Sequence, residues 1–183
     1  FDEVTAFAID SAEGDLWVVS ASSRSRSSTL HKLQLISGRV LASIPLPADD
    51  GPGLFTDVAV APQHILVLDG EGRRIYRVGN KGQTLEIVAR LAAPACSSLA
   101  LAADGRTALQ IVDERGHGRL RVADVRPDGS LGPLRPILRI EPEPDVGQAQ
   151  LSPDGGLLAY VTDEPGLPEL FLTRFPSGEG RWQ

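Results

Sequence analysis

The 183-residue sequence has no methionine, one cysteine (Cys96), a single asparagine (Asn80) and three histidines. Each scarcity excludes something. Without methionine, Phe1 is not a translation start, so a processed or cut N-terminus is expected. One cysteine rules out an internal disulfide framework. Basic residues are outnumbered: 18 Lys and Arg stand against 24 Asp and Glu, a net charge of −6. That balance argues against a nucleic-acid or anionic-membrane surface, either of which needs a basic stripe. No apolar run approaches the roughly 18 residues of a membrane span, and neither a signal peptide nor a lipidation motif is evident. No stretch keeps a 3.6-residue apolar stripe between a cap and a stop, so essentially no helix is expected.

What the chain does have is turns: 19 glycines and 14 prolines, scattered along its length. Four segments beginning at Phe7, Val58, Leu99 and Ala149 read FAIDSAEGDLWVVS, VAVAPQHILVLD, LALAADGRTALQIVD and AQLSPDGGLLAYVTD. Each is an alternating strand, a tight polar turn and a second apolar strand ending in Ser or Asp. Their starts lie 51, 41 and 50 residues apart, close to the period of a four-stranded propeller blade. A polar loop, a third strand (TLHKLQLI, RIYRVG, RLRVADV, ELFLTRF), a turn and a fourth strand (RVLASIPL, LEIVARL, PLRPILRI) complete the pattern. The last unit stops at Arg181-Trp182-Gln183, where its fourth strand should begin. The sequence therefore predicts an all-β β-propeller of about four antiparallel four-stranded blades over residues 1–48, 49–92, 93–141 and 142–183. Four blades are the lower limit of closed propellers, so a piece of a larger domain of about six to eight blades is also expected. Either Phe1, Asp2 and Glu3 help complete the last blade, or two chains associate as a homodimer.

The stretch SPDGGLLAYVTDEPGLPELFLTRFPSGEGRWQ resembles the TolB-type propeller repeat: SPDG, an apolar-Ala-aromatic strand, Thr-Asp, then an extended strand. Its ending is similar to blades that follow the kinase domain of some bacterial Ser/Thr kinases and to secreted bacterial propellers. The middle, FTDVAVAPQHILVLDGEGRRIYRVG, resembles an NHL or gluconolactonase-like blade, with Phe55-Thr56-Asp57 where such blades carry Pro-x-Gly. The resemblances imply a bacterial, extracytoplasmic propeller and a sensor or interaction role. Gluconolactonase-like enzymes hold a divalent metal through an acidic residue and asparagines, and Asn80 lies in a turn between outer strands, so that ligand set does not carry over. The alternative, a metal-dependent lactonase or hydrolase, would start from Asp57. No kinase motif is present.

Catalytic constellations are missing from the sequence. No HxH, HExxH or CxxC spacing occurs, no GxSxG elbow appears, and Cys96 is expected as a small, part-buried thiol. His31 falls within a third strand, His64 in a hairpin turn, and His117 in the loop DERGHGR beside Glu114 and Arg115. No cofactor is expected. Ca²⁺ is conceivable at the acidic loops, although neither has the spacing of an EF-hand. The candidate surface is instead a polar rim. The basic loop SSRSRSS (residues 22–28) and the acidic loops ADDGPG (48–53) and EPEPD (141–145) should reach one face. They would gather Arg24, Arg26, Asp49, Asp50, Arg115, His117, Glu143 and Asp145 to meet a protein or small ligand. Phe7, Ile9, Val58, Val60, Leu99, Leu101 and Leu151 are expected in the core, with Trp17, Leu66 and Tyr160 packing between blades.

Overall fold

In a computed structural model, the structure describes residues 3–61, 64–79, 82–92, 95–102, 106–112, 116–128, 130–138, 140, 143–152 and 154–183. Among the described residues, fifteen strands form four antiparallel sheets, and the only helical turn is a 3-10 turn over Ala48–Asp50. The chain divides into two compact units, Phe1–Ala92 and Ala93–Gln183.

Unit 1 holds two sheets. The first runs β1 (Glu3–Asp10), β2 (Asp15–Ser22), β3 (Ser27–Gln34) and β4 (Val40–Pro45). The second runs β5 (Phe55–Ala61), β6 (His64–Asp69), β7 (Arg74–Gly79) and β8 (Thr84–Arg90). Every strand pairs with its sequence neighbour. The β1–β2 turn uses Gly14 at φ +71°, a backbone conformation that an L side chain resists. Alternation places Trp17, Val19 and Leu30 on one face of the first sheet, against Phe55, Val58, Val67 and Tyr76 of the second. Phe55 and Tyr76 meet edge to face, 5.9 Å between centroids. Full burial of a side chain such as Phe55 contributes about 1.5–3 kcal/mol of transfer free energy.

The face of β1 that meets the second sheet carries Ala6 and Ala8. Their small side chains let β5 lie close, and Thr5 Oγ1 donates to the Phe55 carbonyl across the gap (2.8 Å). Phe7 and Ile9, expected in the core, therefore point the other way and stand 65% and 53% exposed. Glu3 pairs opposite Ala21 within the first sheet; Phe1 and Asp2 lie outside the described residues. His64 opens β6 opposite Ala61 and is not in the turn itself. Asn80 lies outside the described residues.

Unit 2 runs β9 (Ala95–Leu101), β10 (Arg106–Val112), β11 (Gly118–Asp124) and β12 (Arg135–Pro136), then β13 (Val146–Leu151), β14 (Leu157–Thr162) and β15 (Glu169–Arg174). The fourth strand read from PLRPILRI shrinks to the two residues of β12, because Pro133 and Pro136 have no N–H to give a ladder. In the last sheet the fourth place is taken by Trp182, which exchanges both backbone hydrogen bonds with Leu172 (2.7 and 3.0 Å). The core joins Leu120, Val122, Ile137 and Leu138 to Val146, Leu158, Tyr160, Phe171 and Phe175. Tyr160 and Phe171 stack at 5.9 Å.

The SPDG turn explains its own composition. Ser152 Oγ donates to Asp154 Oδ1 (2.5 Å), Gly156 N–H donates to the same oxygen (3.1 Å), and Leu157 N–H donates to Ser152 Oγ (2.9 Å). The bonds from Ser152, foremost, and from Gly156 hold the Asp154 carboxyl below its ordinary pKa. Cys96 lies near the start of β9 and is buried, 3% exposed.

Candidate functional site

The loop that leaves the first sheet of unit 1, residues 46–54, is fixed by one buried ion pair. Arg74, at the start of β7, donates from Nε and Nη2 to Asp69 Oδ2 (2.9 and 2.5 Å). The same guanidinium donates to the carbonyls of Asp50 and Pro52. Asp69, at the end of β6, accepts through Oδ1 from the N–H groups of Leu54 (2.9 Å) and Gly72 (2.7 Å). Both side chains are out of water, Asp69 at 0% and Arg74 at 2%, so each hydrogen bond is made where losing it would be expensive. Gly53 and Gly72 are required by this arrangement. A Cβ at either would sit 2.2 or 2.1 Å from Asp69 Oδ2. Ser28 Oγ completes the anchorage, accepting from Phe55 N–H (2.9 Å). Tyr76 OH donates to Asp50 Oδ2 (3.1 Å), and burial pushes its pKa well up.

On this anchored base the two adjacent turns, β2–β3 (residues 23–26) and β6–β7 (residues 70–73), expose residues 23–26, Glu71 and Arg73 to solvent. Arg26 and Arg73 hold equivalent places, each the last residue before its strand and each in the left-handed region (φ +50° and +54°). Arg26 pairs with Glu71 of the neighbouring turn. Arg24, Arg73 and Asp49 are exposed and have no ion pair among the described residues. Four of the residues expected at the rim, Arg24, Arg26, Asp49 and Asp50, thus meet at one end of unit 1. Asp50, however, is turned inward to Tyr76 and Arg74.

Unit 2 repeats the anchoring with other residues. Gly118 N–H donates to Asp145 Oδ1 (2.6 Å), Arg119 donates to the Pro144 carbonyl (3.0 Å), and Arg121 pairs with Glu143. Glu143 and Asp145, expected to face a partner, are committed to holding their own loop. His117 Nδ1 lies 3.1 Å from Arg119 Nη2. Arg115 lies outside the described residues.

Two clefts flank the last sheet. One, of about 200 Å³, is lined by Asp145, Gly147, Val161, Thr162, Asp163 and Pro168. The other, of about 400 Å³, is lined by Glu164, Pro165, Phe171, Arg181 and Gln183. There the Arg181 guanidinium lies over the Phe171 ring at 3.8 Å and pairs with Glu164 at 2.7 Å. The sequence reading missed Arg73, the Asp69–Arg74 pair and this cleft. A signal for the pair does exist, an Asp closing one strand and an Arg opening the next across a Gly-flanked turn (Asp69-Gly-Glu-Gly-Arg-Arg74). Among the described residues, no three His, Cys, Asp or Glu side chains group as metal ligands. Asp57 accepts from the N–H of Val58 (2.8 Å).

No family model matches the chain, and no curated protein matches it in sequence. Solved structures match it in fold. The crystal structure of a nidogen/laminin complex superposes with a TM-score of 0.71 at 11% identity, covering 97% of this chain and 63% of that one. Hydrazine synthase of Kuenenia stuttgartiensis gives 0.69 at 11% identity, covering 98% and 53%. TolB from Acinetobacter baumannii gives 0.64 at 15% identity, covering 96% and 41%. The chain thus spans less than two thirds of each matched structure. With four sheets of antiparallel, sequence-ordered strands, these likenesses make this an all-β chain of the β-propeller class.

Proposed function

We propose that the chain is a non-enzymatic propeller module that binds a protein or ligand bearing acidic groups at the turn end of unit 1. One observation carries the reading: Arg24, Arg26 and Arg73 project from two neighbouring turns whose base is locked by the buried Asp69–Arg74 pair. A pre-ordered backbone spares the cost of ordering the turns on binding, although each exposed arginine still loses rotamer freedom, and guanidinium groups pair carboxylates in a fork geometry. Arg26 is already paired with Glu71, so Arg24 and Arg73, which have no ion pair among the described residues, are the two guanidinium groups open to a ligand. The TolB-type repeat resemblance supports a bacterial, extracytoplasmic setting for the module.

The test is calorimetric titration with a glutamate-rich peptide at low and moderate salt. Binding should weaken as salt rises and vanish in the Arg24→Glu/Arg26→Glu/Arg73→Glu variant, with the circular dichroism spectrum unchanged. Equal affinity in the variant would sink the reading. Metal analysis of the purified chain separates the other class: a stoichiometric divalent ion would favour a metal-dependent lactonase-like enzyme.

A further inference from the structure

The packed face of the last sheet holds a polar group that nothing satisfies. Tyr160 of β14 and Phe171 of β15 are register partners. Because Trp182 pairs with Leu172, alternation turns Arg181 to the same face as Phe171. Tyr160 is wholly buried, and its hydroxyl has no hydrogen-bond partner among the described residues. Buried hydroxyls are ordinarily hydrogen-bonded, so one without a partner requires an explanation. Burial apart, the groups that act on this hydroxyl are the charges of Arg181 and Glu164. Both line the cleft of about 400 Å³, and the hydroxyl lies beneath it.

Arg181 is already oriented for an anion. Its guanidinium is held from one side by the Phe171 ring and through Nη2 by Glu164, and no other ion pair engages it among the described residues. A guanidinium has five N–H donors, so most of its capacity is left over beside a tyrosine donor that has no acceptor. The neighbouring charges limit what can use those donors. A plain carboxylate on Arg181 would face Glu164, and a plain ammonium on Glu164 would face Arg181, each an unfavourable like-charge approach. Glu169, which accepts from the Gln183 amide (2.5 Å), adds a second carboxylate nearby and weighs further against an acid without a positive group. A molecule with both charges leaves every one of them paired.

We propose that this cleft binds a free α-amino acid with an apolar side chain. The ligand carboxylate accepts from Arg181 and from the Tyr160 hydroxyl, its ammonium donates to Glu164, and its side chain lies against Pro165 and Phe171. In the structure the Arg181–Glu164 pair closes over the tyrosine; the ligand separates the two charges, takes one at each end and supplies the acceptor that the hydroxyl lacks. The volume suits a small molecule, at the lower end of the range of ligand sites. This site lies wholly within unit 2 and is independent of the arginine surface proposed above.

The experiment is calorimetric titration of the full chain with leucine, valine and phenylalanine. Two truncated probes accompany them: isocaproate, which is leucine without its ammonium, and isoamylamine, which is leucine without its carboxylate. Saturable binding of an amino acid at one site per chain is expected, with both truncated probes weaker by about tenfold or more. Tyr160→Phe should weaken amino-acid binding by about tenfold, the loss of one hydrogen bond to a charged group, without lowering the thermal midpoint. Arg181→Gln should abolish binding while the circular dichroism is retained. The Arg24→Glu/Arg26→Glu/Arg73→Glu variant should bind the amino acid as the parent chain does. Absence of binding by all three amino acids, a truncated probe that binds as tightly as they do, or unchanged affinity in Tyr160→Phe would each overturn the proposal.

Discussion

Deleting the carboxylate of Asp69 should be the most damaging single change in unit 1. In Asp69→Ala the Arg74 guanidinium, 2% exposed, keeps the Asp50 and Pro52 carbonyls but loses its counter-charge. The N–H groups of Leu54 and Gly72 lose their acceptor. Removing one partner of a buried pair costs about 3–5 kcal/mol, because the remaining charge is stranded away from water. Against a typical total stability of about 5–15 kcal/mol, that is a large share. With a urea slope of about 2 kcal/mol per molar, the unfolding midpoint should fall by about 1.5–2.5 M. Hydrogen exchange should localise the loss, with the Leu54 and Gly72 amides exchanging faster while β13–β15 are unchanged. Replacing both charges, Asp69→Leu with Arg74→Leu, should recover only part of the midpoint: no charge is then stranded, but the N–H groups of Leu54 and Gly72 still lack their acceptor. A midpoint shift under about 0.5 M in the single variant, or a double variant as unstable as the single, would refute the argument.

Two further outcomes follow from polar groups whose surroundings are unequal. His31 lies between the hydroxyls of Ser20 and Ser43, 2.9 Å from each, and burial lowers its pKa below 6.5. Its neutral form is favoured in the folded state, so the unfolded chain binds the extra proton. The His31 contribution to stability should be flat above about pH 6.5 and decline as pH falls from there through the lowered folded value. Urea midpoints between pH 8 and 5 would test this against His31→Gln, in which that part of the slope should disappear. The hydroxyl of Tyr160 is buried with no hydrogen-bond partner among the described residues, whereas that of Tyr76 donates to Asp50. Tyr160→Phe should therefore leave stability unchanged or raise it by up to about 1 kcal/mol, while Tyr76→Phe should cost about 1.5 kcal/mol. Equal losses by thermal denaturation would contradict the assignment.

The strand pattern was legible because tight turns and alternation are local: SPDG, AEGD and GEGR each mark a hairpin by their own chemistry. Which face of a strand is covered is not local. Alternation puts Phe7 with Ile9 and Ala6 with Ala8, but only the approach of β5 decides that the alanines are the packed side. The same limit applies to the acidic loops. A run such as EPEPD reads as solvated rim whether its carboxylates face water or a backbone N–H. Asp145 and Glu143 turn inward because Gly118, Arg119 and Arg121 of β11 stand opposite them, some 25 residues away in sequence. Arg26, by contrast, pairs with Glu71 of the next turn, a partner that its own loop sequence does not announce.

The two tryptophans are divided between the units. Trp17 is 1% exposed within unit 1, beneath the Lys32 ammonium, and Trp182 is 45% exposed at the edge of unit 2. An indole kept from water emits at shorter wavelength than one in contact with it, so each half of the chain has its own colour of intrinsic fluorescence. In a Trp182→Phe variant the remaining emission comes from unit 1 alone, and a red shift during denaturation then times the opening of that half without any added label.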